Sequence, residues 1–254
     1  MPNERVTPNM GRSFAPASPR RRLSSANHRL TQDFVSDGEL ERQVTPRLPD
    51  VISVTAYYVK ILPYYPAPGI YYDEGRNMTF DGSVLMFVWI KKPTLEITLN
   101  AVNRAILSVM LADSLNRPAF QLDLVYPSSH VALGNMKETP PVDLGNGWSM
   151  VSFPPTPVIS TYLIAFAAGP FVSHSLINKD GTLVRSWGWT GQENFLKFSA
   201  ETAAECLYQM GLYTKIKFPL EKCDHLGLPE HGISGMENFG LVIYKNEIIA
   251  YNPY

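Results

Sequence analysis

The sequence predicts a mainly β fold, in which an antiparallel β-sandwich or saddle-like domain comes first and a mixed α/β region follows. Short apolar runs recur about every ten residues, and clusters of Pro, Gly, Asn and Asp separate them. The 21 Pro and 17 Gly favour short elements joined by turns over long helices. The long stretch with helical periodicity comes late, between residues 193 and 212. An apolar content of 45% is enough to build a sizeable core.

Residues 1–46 are expected to form a disordered basic tail. Their Pro, Ser, Asn and Arg residues show no hydrophobic period, so the segment buries too little apolar area to offset the entropy of ordering. The run Arg20–Arg22 stands just before Ser24. A basic targeting patch or a kinase site are therefore the alternatives to a solvated tail.

Residues 47–172 are predicted to form the N-terminal β domain. Its strands are inferred from alternating or uninterrupted apolar positions bounded by turn residues. Val84–Ile90 is apolar throughout, which predicts a strand covered on both faces. The other predicted strands span Val51–Leu62, Leu95–Ala101, Phe120–Tyr126 and Tyr162–Ala168.

Residues 173–254 are predicted to form a second region of mixed α/β structure. Glu193–Leu212 contains no Pro, which suits a helix. An amphipathic helix is predicted because mostly apolar residues recur on one face, namely Phe195, Phe198 and Thr202 beside Ala203, Leu207 and Met210. Two short strands are predicted after the helix, around residues 223–228 and 240–244.

Composition and motifs exclude several functions. A net charge of -1 supplies no field for attracting nucleic acid. The sequence has no apolar run suited to a membrane span or a signal peptide, which favours a cytoplasmic location. It has no HExxH pair, GxSxG elbow, Walker loop or GxGxxG, so no catalytic residue and no metal ligand is predicted. Structural or surface roles are expected for His28, His130, His174, His225 and His231, and buried free thiols for Cys206 and Cys223.

The segment that suggests chemistry is Gly235-Met236-Glu237-Asn238, called the GMEN motif below. A glycine lets another chain approach the backbone closely, and a neighbouring carboxylate binds a protonated amine through charge-assisted hydrogen bonds. This combination suits the free N-terminus of a peptide. The alternative is that Glu237 and Asn238 are polar turn residues before a strand.

The surroundings of the GMEN motif resemble those in M1-family zinc aminopeptidases, the aminopeptidase N-like enzymes. The resemblance rests on a Lys-x-Asp pattern, a Leu-Pro turn and an aromatic-Gly-Leu sequence, together with upstream signatures in the same order. It covers most of residues 47–254. The matching residues are Arg47-Leu48-Pro49, Phe80-Asp81-Gly82, Pro93–Ile97, Thr156–Leu163, Lys222, Asp224, Leu228-Pro229 and Phe239-Gly240-Leu241.

The resemblance implies a role for each residue of the GMEN motif. Glu237 would bind the amine of a peptide substrate, Gly235 and Met236 would contact its backbone in the manner of an edge strand, and Asn238 would fix the loop. Residues 173–254 would begin a thermolysin-like catalytic domain. In such enzymes an HExxH motif and a more distant Glu bind zinc, and the HExxH Glu activates the attacking water.

Three departures from the family pattern shape the functional expectation. Ser234 replaces the first Gly of the usual Gly-Ala-Met-Glu-Asn. Near residues 107–115 the pattern resumes early, as if strands and a second amine-recognition carboxylate were absent. The chain also reaches Tyr254 before any HExxH. The chain alone is therefore expected to bind no zinc and to be inactive.

Three interpretations remain open at this point. The chain is the N-terminal portion of an M1 zinc aminopeptidase that removes N-terminal residues from peptides. Alternatively, it is a non-catalytic protein that binds peptide N-termini or pairs with a full-length aminopeptidase. The third interpretation is a β-rich interaction module without affinity for peptides.

Overall fold

The computed structural model describes residues 48–94, 97–99, 105–106 and 120–250, and β-strands are their predominant regular structure. The mainly β prediction is confirmed. The described residues divide into two compact units, a larger one with residues 57–85 and 120–250 and a smaller one with the remainder. The predicted tail of residues 1–46 and the shortened stretch near 107–115 lie outside the described residues.

The strands form two five-stranded sheets and one separate pair. They are β1 (Ile52–Tyr64), β2 (Thr79–Ile90), β3 (Phe120–Pro127), β4 (Val131–Gly134), β5 (Val142–Gly145), β6 (Trp148–Phe153), β7 (Phe166–Gly169), β8 (Phe171–Ile177), β9 (Leu183–Trp189), β10 (Lys222–Leu228), β11 (Gly235–Met236) and β12 (Leu241–Lys245). The first sheet has the order β2-β1-β3-β6-β5, the second has the order β11-β12-β10-β9-β8, and β4 pairs with β7.

The first sheet is mixed, because β1 and β3 run parallel while β6 runs antiparallel to both β3 and β5. In the parallel pair, Tyr57 lies opposite Phe120 and Ile61 lies opposite Leu124. Apolar side chains of β3 and β6 pack with Ala132 into the first core cluster. Its buried members are Leu122, Leu124, Tyr126, Ala132, Val151 and Phe153.

The structure corrects three of the predicted strands. Val84–Ile90 does lie in a strand, β2, but it is not covered on both faces, since Val84 is 57% exposed and Ile90 is 55% exposed. An uninterrupted apolar run is buried only where other layers cover both faces. The run from Tyr162 begins as a short 3-10 turn, Thr161–Leu163, and becomes a strand only at β7. Of the strand predicted over 95–101, residues 97–99 form no strand and the others lie outside the described residues.

The second sheet contains a parallel core of β9, β10 and β12. Parallel neighbours need a crossover connection, and helix α1 (Lys197–Thr214) supplies it between β9 and β10. The short helix α2 (Asn246–Ile249) follows β12. Of the helices in the described residues, none has the length and apolarity needed to cross a membrane. The second core cluster contains Leu133, Ala165, Phe171, Trp187, Leu226 and Leu241.

Helix α1 confirms the predicted helix, but the predicted face is right only in part. Its buried residues are Ala200 and Ala204, and Ala203 and Leu207 of the predicted face are half-buried beside them. Phe198 and Met210 of the predicted face are instead 56% and 55% exposed. Small side chains let the helix axis come close to β8 and β9, against which the helix packs.

In the smaller unit, the start of β1 and the residues just before it contact the end of β2 and the residue just after it. Lys91 Nζ lies 2.5 Å from the Asp50 carboxylate, and the Lys91 amide donates to the Val51 carbonyl over 2.8 Å. Thr55 Oγ1 donates to the Phe87 carbonyl over 3.1 Å. An exposed ion pair of this kind contributes about 0–1 kcal/mol.

Strand β4 links the two core clusters of the larger unit. Successive side chains of a strand point to opposite faces, so Ala132 joins the first cluster and Leu133 joins the second. The five residues from Gly134 to Glu138, called the 134–138 segment below, include the last residue of β4 and the four that follow it. Two residues of this segment take part in contacts around the GMEN motif. Asn135 donates a hydrogen bond to Phe239, and Glu138 accepts one from Arg185.

Candidate functional site

The GMEN motif begins in the edge strand of the second sheet. Its first two residues form β11, in which Gly235 pairs antiparallel with Tyr244 and Met236 with Ile243. The Lys245 amide also donates to the Ser234 carbonyl over 3.2 Å. Because β11 is the last strand in the sheet order, no strand of the described residues pairs with its outer side. An outer edge of this kind offers backbone groups to an added peptide strand.

Position 235 favours glycine because the aromatic ring of Tyr244 lies close to its Cα. A Cβ there would come within 3.1 Å of Tyr244 Cδ1. The ring cannot easily move, because it stacks on His225 at 5.8 Å and its hydroxyl lies 3.2 Å from His225 Nδ1. Ser234 stands where the family pattern has glycine, and its φ is not positive, so serine adds no backbone strain there.

Glu237 is the exposed residue of the motif. Its carboxylate forms no ion pair and no hydrogen bond with any other residue that the structure describes. An unpaired carboxylate beside an open strand edge can accept charge-assisted hydrogen bonds from a cationic ligand without first breaking an internal contact.

The end of the motif is anchored to the turn at Thr161–Leu163. Asn238 is buried, and its Nδ2 donates to the Tyr162 carbonyl over 3.2 Å. The Phe239 amide donates to the Leu163 carbonyl over 3.1 Å. Glu237 is therefore exposed but directly precedes two fixed residues.

A buried ion cluster lies beside this anchor and consists of Lys222, Asp224, Arg185 and Glu138. Arg185 Nε donates to Asp224 Oδ1 over 2.6 Å, and its Nη2 donates to Glu138 over 2.9 Å. Lys222 Nζ lies 2.7 Å from Asp224 and donates to the carbonyls of Gly134 and Gly240. The two positive and two negative charges cancel, which is the condition for keeping charges inside a protein.

The ion cluster favours the charged forms of Asp224 and Arg185, whereas burial lowers the pKa of Lys222 despite its pairing with Asp224. Burial opposes the charge on Asp224, yet Lys222 and Arg185 outweigh it and hold the pKa of this carboxyl below its usual range. Burial likewise opposes the charge on Arg185, but its hydrogen bonds to Glu138 and Asp224 raise the pKa of the guanidinium. Since Lys222 also holds the Gly240 carbonyl, the cluster fixes the backbone just after the GMEN motif.

Among the histidines and cysteines predicted to have structural or surface roles, His225 and Cys223 lie side by side. His225 Nε2 lies 3.6 Å from Cys223 Sγ. Burial lowers the pKa of His225 to about 4 and raises the pKa of Cys223 to about 12, so both are neutral and unreactive near pH 7. His130 stacks on Tyr65 at 5.6 Å. Cys206 is exposed on α1, so the expectation that both thiols are buried was wrong for this one.

A cleft of about 450 Å³ lies elsewhere in the larger unit. Its lining includes Tyr65, His130 and Trp189 and contains no acidic or basic side chain apart from His130, whose pKa burial lowers. The cleft offers no carboxylate to pair with an amine. A carboxylate that is open to a cationic ligand lies instead at Glu237 of the GMEN motif.

Several residues at the site were not predicted. Lys222 and Asp224 were marked by the family resemblance, but Arg185, Glu138 and Asn135 were not. Their contacts join chain segments far apart, and Arg185 and Glu138 are 47 positions apart. The one available signal was chemical, since a buried Lys-x-Asp strand needs further partners for its charges.

Comparison with known proteins relates the chain to one peptidase family. Residues 198–254 match the peptidase family M1 domain. The chain is 54% identical over 144 residues to a putative aminopeptidase-2 from Caenorhabditis elegans, which is 55% of this chain and 8% of that protein. It is 36% identical over 134 residues to aminopeptidase M1-A from Oryza sativa subsp. japonica, 52% of this chain and 15% of that protein. Aminopeptidase N from Bos taurus is 29% identical over 142 residues, 54% of this chain and 15% of that protein. The matched part thus spans 8% to 15% of the length of these relatives.

Proposed function

We propose that the chain belongs to peptidase family M1, whose domain matches residues 198–254, and that it carries the amine-recognition part of a zinc aminopeptidase, an enzyme that removes N-terminal residues from peptides. The observation that supports this most is the position of Glu237. An edge strand ends at an exposed carboxylate that has no partner among the described residues, while the residues after it are fixed.

The peptide backbone binds first to the outer edge of β11. An extended peptide that adds to this edge forms main-chain hydrogen bonds that do not depend on its sequence. The glycine at position 235 leaves no side chain in the way of a close approach. Binding through the backbone suits an enzyme that acts on peptides with different first residues.

The protonated N-terminus then pairs with Glu237. The α-amino group of a peptide has a pKa of about 7.7–8.0, so it carries a positive charge at neutral pH. When the bound peptide shields the pair from solvent, a hydrogen bond between charged groups contributes about 1.5–3 kcal/mol, which corresponds to about a tenfold to hundredfold change in the dissociation constant. A pair left exposed would contribute only about 0–1 kcal/mol. An acetylated N-terminus has no charge and loses this contribution.

Zinc is the metal of M1 aminopeptidases. Across residues 48–94, 97–99, 105–106 and 120–250, no group of three His, Cys, Asp or Glu side chains is arranged to hold a metal ion. The described residues thus do not fit the zinc, and the proposal assigns them substrate binding without a hydrolytic step. A non-catalytic protein that binds peptide ends would use the same site.

Calorimetric titration of the chain with a short unblocked peptide tests the proposal. Glu237→Gln keeps the shape of the side chain and removes its charge, so it is expected to weaken binding about tenfold or more. Glu230→Gln is the matched control, because Glu230 is also exposed and lies seven positions earlier in the chain. Equal affinities for the wild type and the Glu237→Gln variant, or no binding to the wild type, would refute the proposed function.

A further inference from the structure

The buried Asn135 side chain contacts the backbone on both sides of the anchor described above. Asn135 is 4% exposed and belongs to the 134–138 segment. Its Nδ2 donates to the carbonyls of Leu163 and Phe239 over 2.9 Å and 2.7 Å. Its Oδ1 accepts a hydrogen bond from the Ala165 amide over 2.9 Å. One amide group thus joins the turn that starts at Thr161 to the residues directly after the GMEN motif.

The backbone of Asn135 constrains the same place a second time. Gly240 has a φ of +80°, and a Cβ there would lie 2.3 Å from the Asn135 carbonyl oxygen. This close contact fixes how far the residues after the motif stand from the 134–138 segment. Since Lys222 Nζ donates to the carbonyls of both Gly134 and Gly240, it joins the same two places and leaves the turn little freedom to shift.

Glu237 forms no ion pair and no side-chain hydrogen bond with the described residues, so its position follows from its neighbours. On one side it is held by the pairing of β11, and on the other by Asn238 and Phe239. Asn135 donates directly to Phe239, and through Leu163 it fixes the carbonyl to which the Phe239 amide donates.

We infer that Asn135 is a positioning residue for the recognition of peptide amines. It acts through Phe239 and the turn at Thr161–Leu163 to hold the Glu237 carboxylate at the end of the strand edge, and it does not touch the peptide. This inference rests on the proposed function of Glu237.

Asn135→Asp is the substitution that tests the inference most closely. It keeps the size of the side chain and the oxygen that accepts from Ala165, and it removes the two donated hydrogen bonds. Asn178→Asp is the matched control, since Asn178 is also buried in a turn and its Oδ1 accepts from the amides of Asp180 and Thr182. Asn178 lies outside the GMEN motif and its anchor.

A double-mutant cycle separates positioning from a general structural role. Asn135→Asp is expected to raise the dissociation constant of an unblocked peptide about tenfold in the chain with Glu237, and less than about twofold in the Glu237→Gln background. Hydrogen exchange at the amides of Phe239 and Leu241 is expected to become faster in the Asn135→Asp variant and to stay unchanged in the Asn178→Asp variant. Asn135→Ser takes the place of the aspartate variant if the latter does not fold, with the same results expected.

The possible results separate a failure of the inference about Asn135 from a failure of the function proposed for Glu237. A loss of affinity that is equal in both backgrounds would mean that Asn135 supports only the fold, which overturns the inference. Unchanged binding by a folded Asn135→Asp variant overturns it as well. If the wild type binds no peptide, or if Glu237→Gln binds as the wild type does, the proposed function itself fails.

Discussion

Replacing Asp224 with Asn removes the negative charge at the centre of the buried ion cluster. The Asp224 carboxylate has 0% exposure and accepts hydrogen bonds from Arg185, from Trp187 and from Lys222. Asparagine keeps the shape, but its amide group presents hydrogens to these donors. The cluster changes from neutral to a net charge of about +1, and Glu138, with 32% of its side chain exposed, is the remaining carboxylate.

The expected loss of the free energy of unfolding is about 3–5 kcal/mol, the range found when one partner of a buried ion pair is removed. A folded domain has about 5–15 kcal/mol in total, so the effect is large. Urea unfolding of the wild type and the variant measures it. Glu221→Gln is the control, because the Glu221 side chain is 80% exposed and 4.0 Å from Lys137, and its loss is expected to stay within about 1 kcal/mol. A loss below about 1 kcal/mol for Asp224→Asn would refute the structural role of the ion cluster.

Two further predictions concern single residues near the GMEN motif. Gly240→Ala is expected to destabilise the chain by at least about 1–3 kcal/mol more than Gly181→Ala. Both glycines have a positive φ, of +80° and +89°, but a Cβ meets the Asn135 oxygen at Gly240 and open space at Gly181. Equal losses in urea unfolding would contradict this steric explanation. The second prediction is that the free energy of unfolding falls between about pH 6.5 and pH 4, because His225 has a pKa of about 4 when folded and the unfolded chain takes up the proton first. His225→Gln is expected to remove about 3 kcal/mol of this pH dependence, and an unchanged pH profile would contradict the assignment.

Much of the strand pattern could be predicted from the sequence, because alternation and turn residues are local signals. β1, β3, β10 and β12 lie where apolar periodicity predicts strands. The exposure of β2 and the buried face of α1 could not be predicted in this way. Both depend on which layers cover an element, and a pattern of apolar residues does not contain that information.

The same distinction between local signals and long-range contacts applies to the candidate site. The chemistry of the GMEN motif could be read from adjacent residues and from the family resemblance, since a glycine next to a carboxylate is a local feature. The anchor of the motif could not be predicted from the sequence, because its hydrogen bond joins Asn135 to Phe239, which lies 104 positions later. A buried asparagine is indistinguishable in sequence from a surface one, and only the folded chain shows which carbonyls it holds.

Whether Glu237 recognises the charge of a peptide N-terminus is tested most directly by comparing one peptide with its N-acetylated form. Calorimetry would measure both dissociation constants for the wild type and for the Glu237→Gln variant. Acetylation is predicted to weaken binding to the wild type about tenfold or more and to change binding to the variant less than about twofold. An equal effect of acetylation on the two proteins would contradict the assignment of Glu237 as the residue that binds the amine.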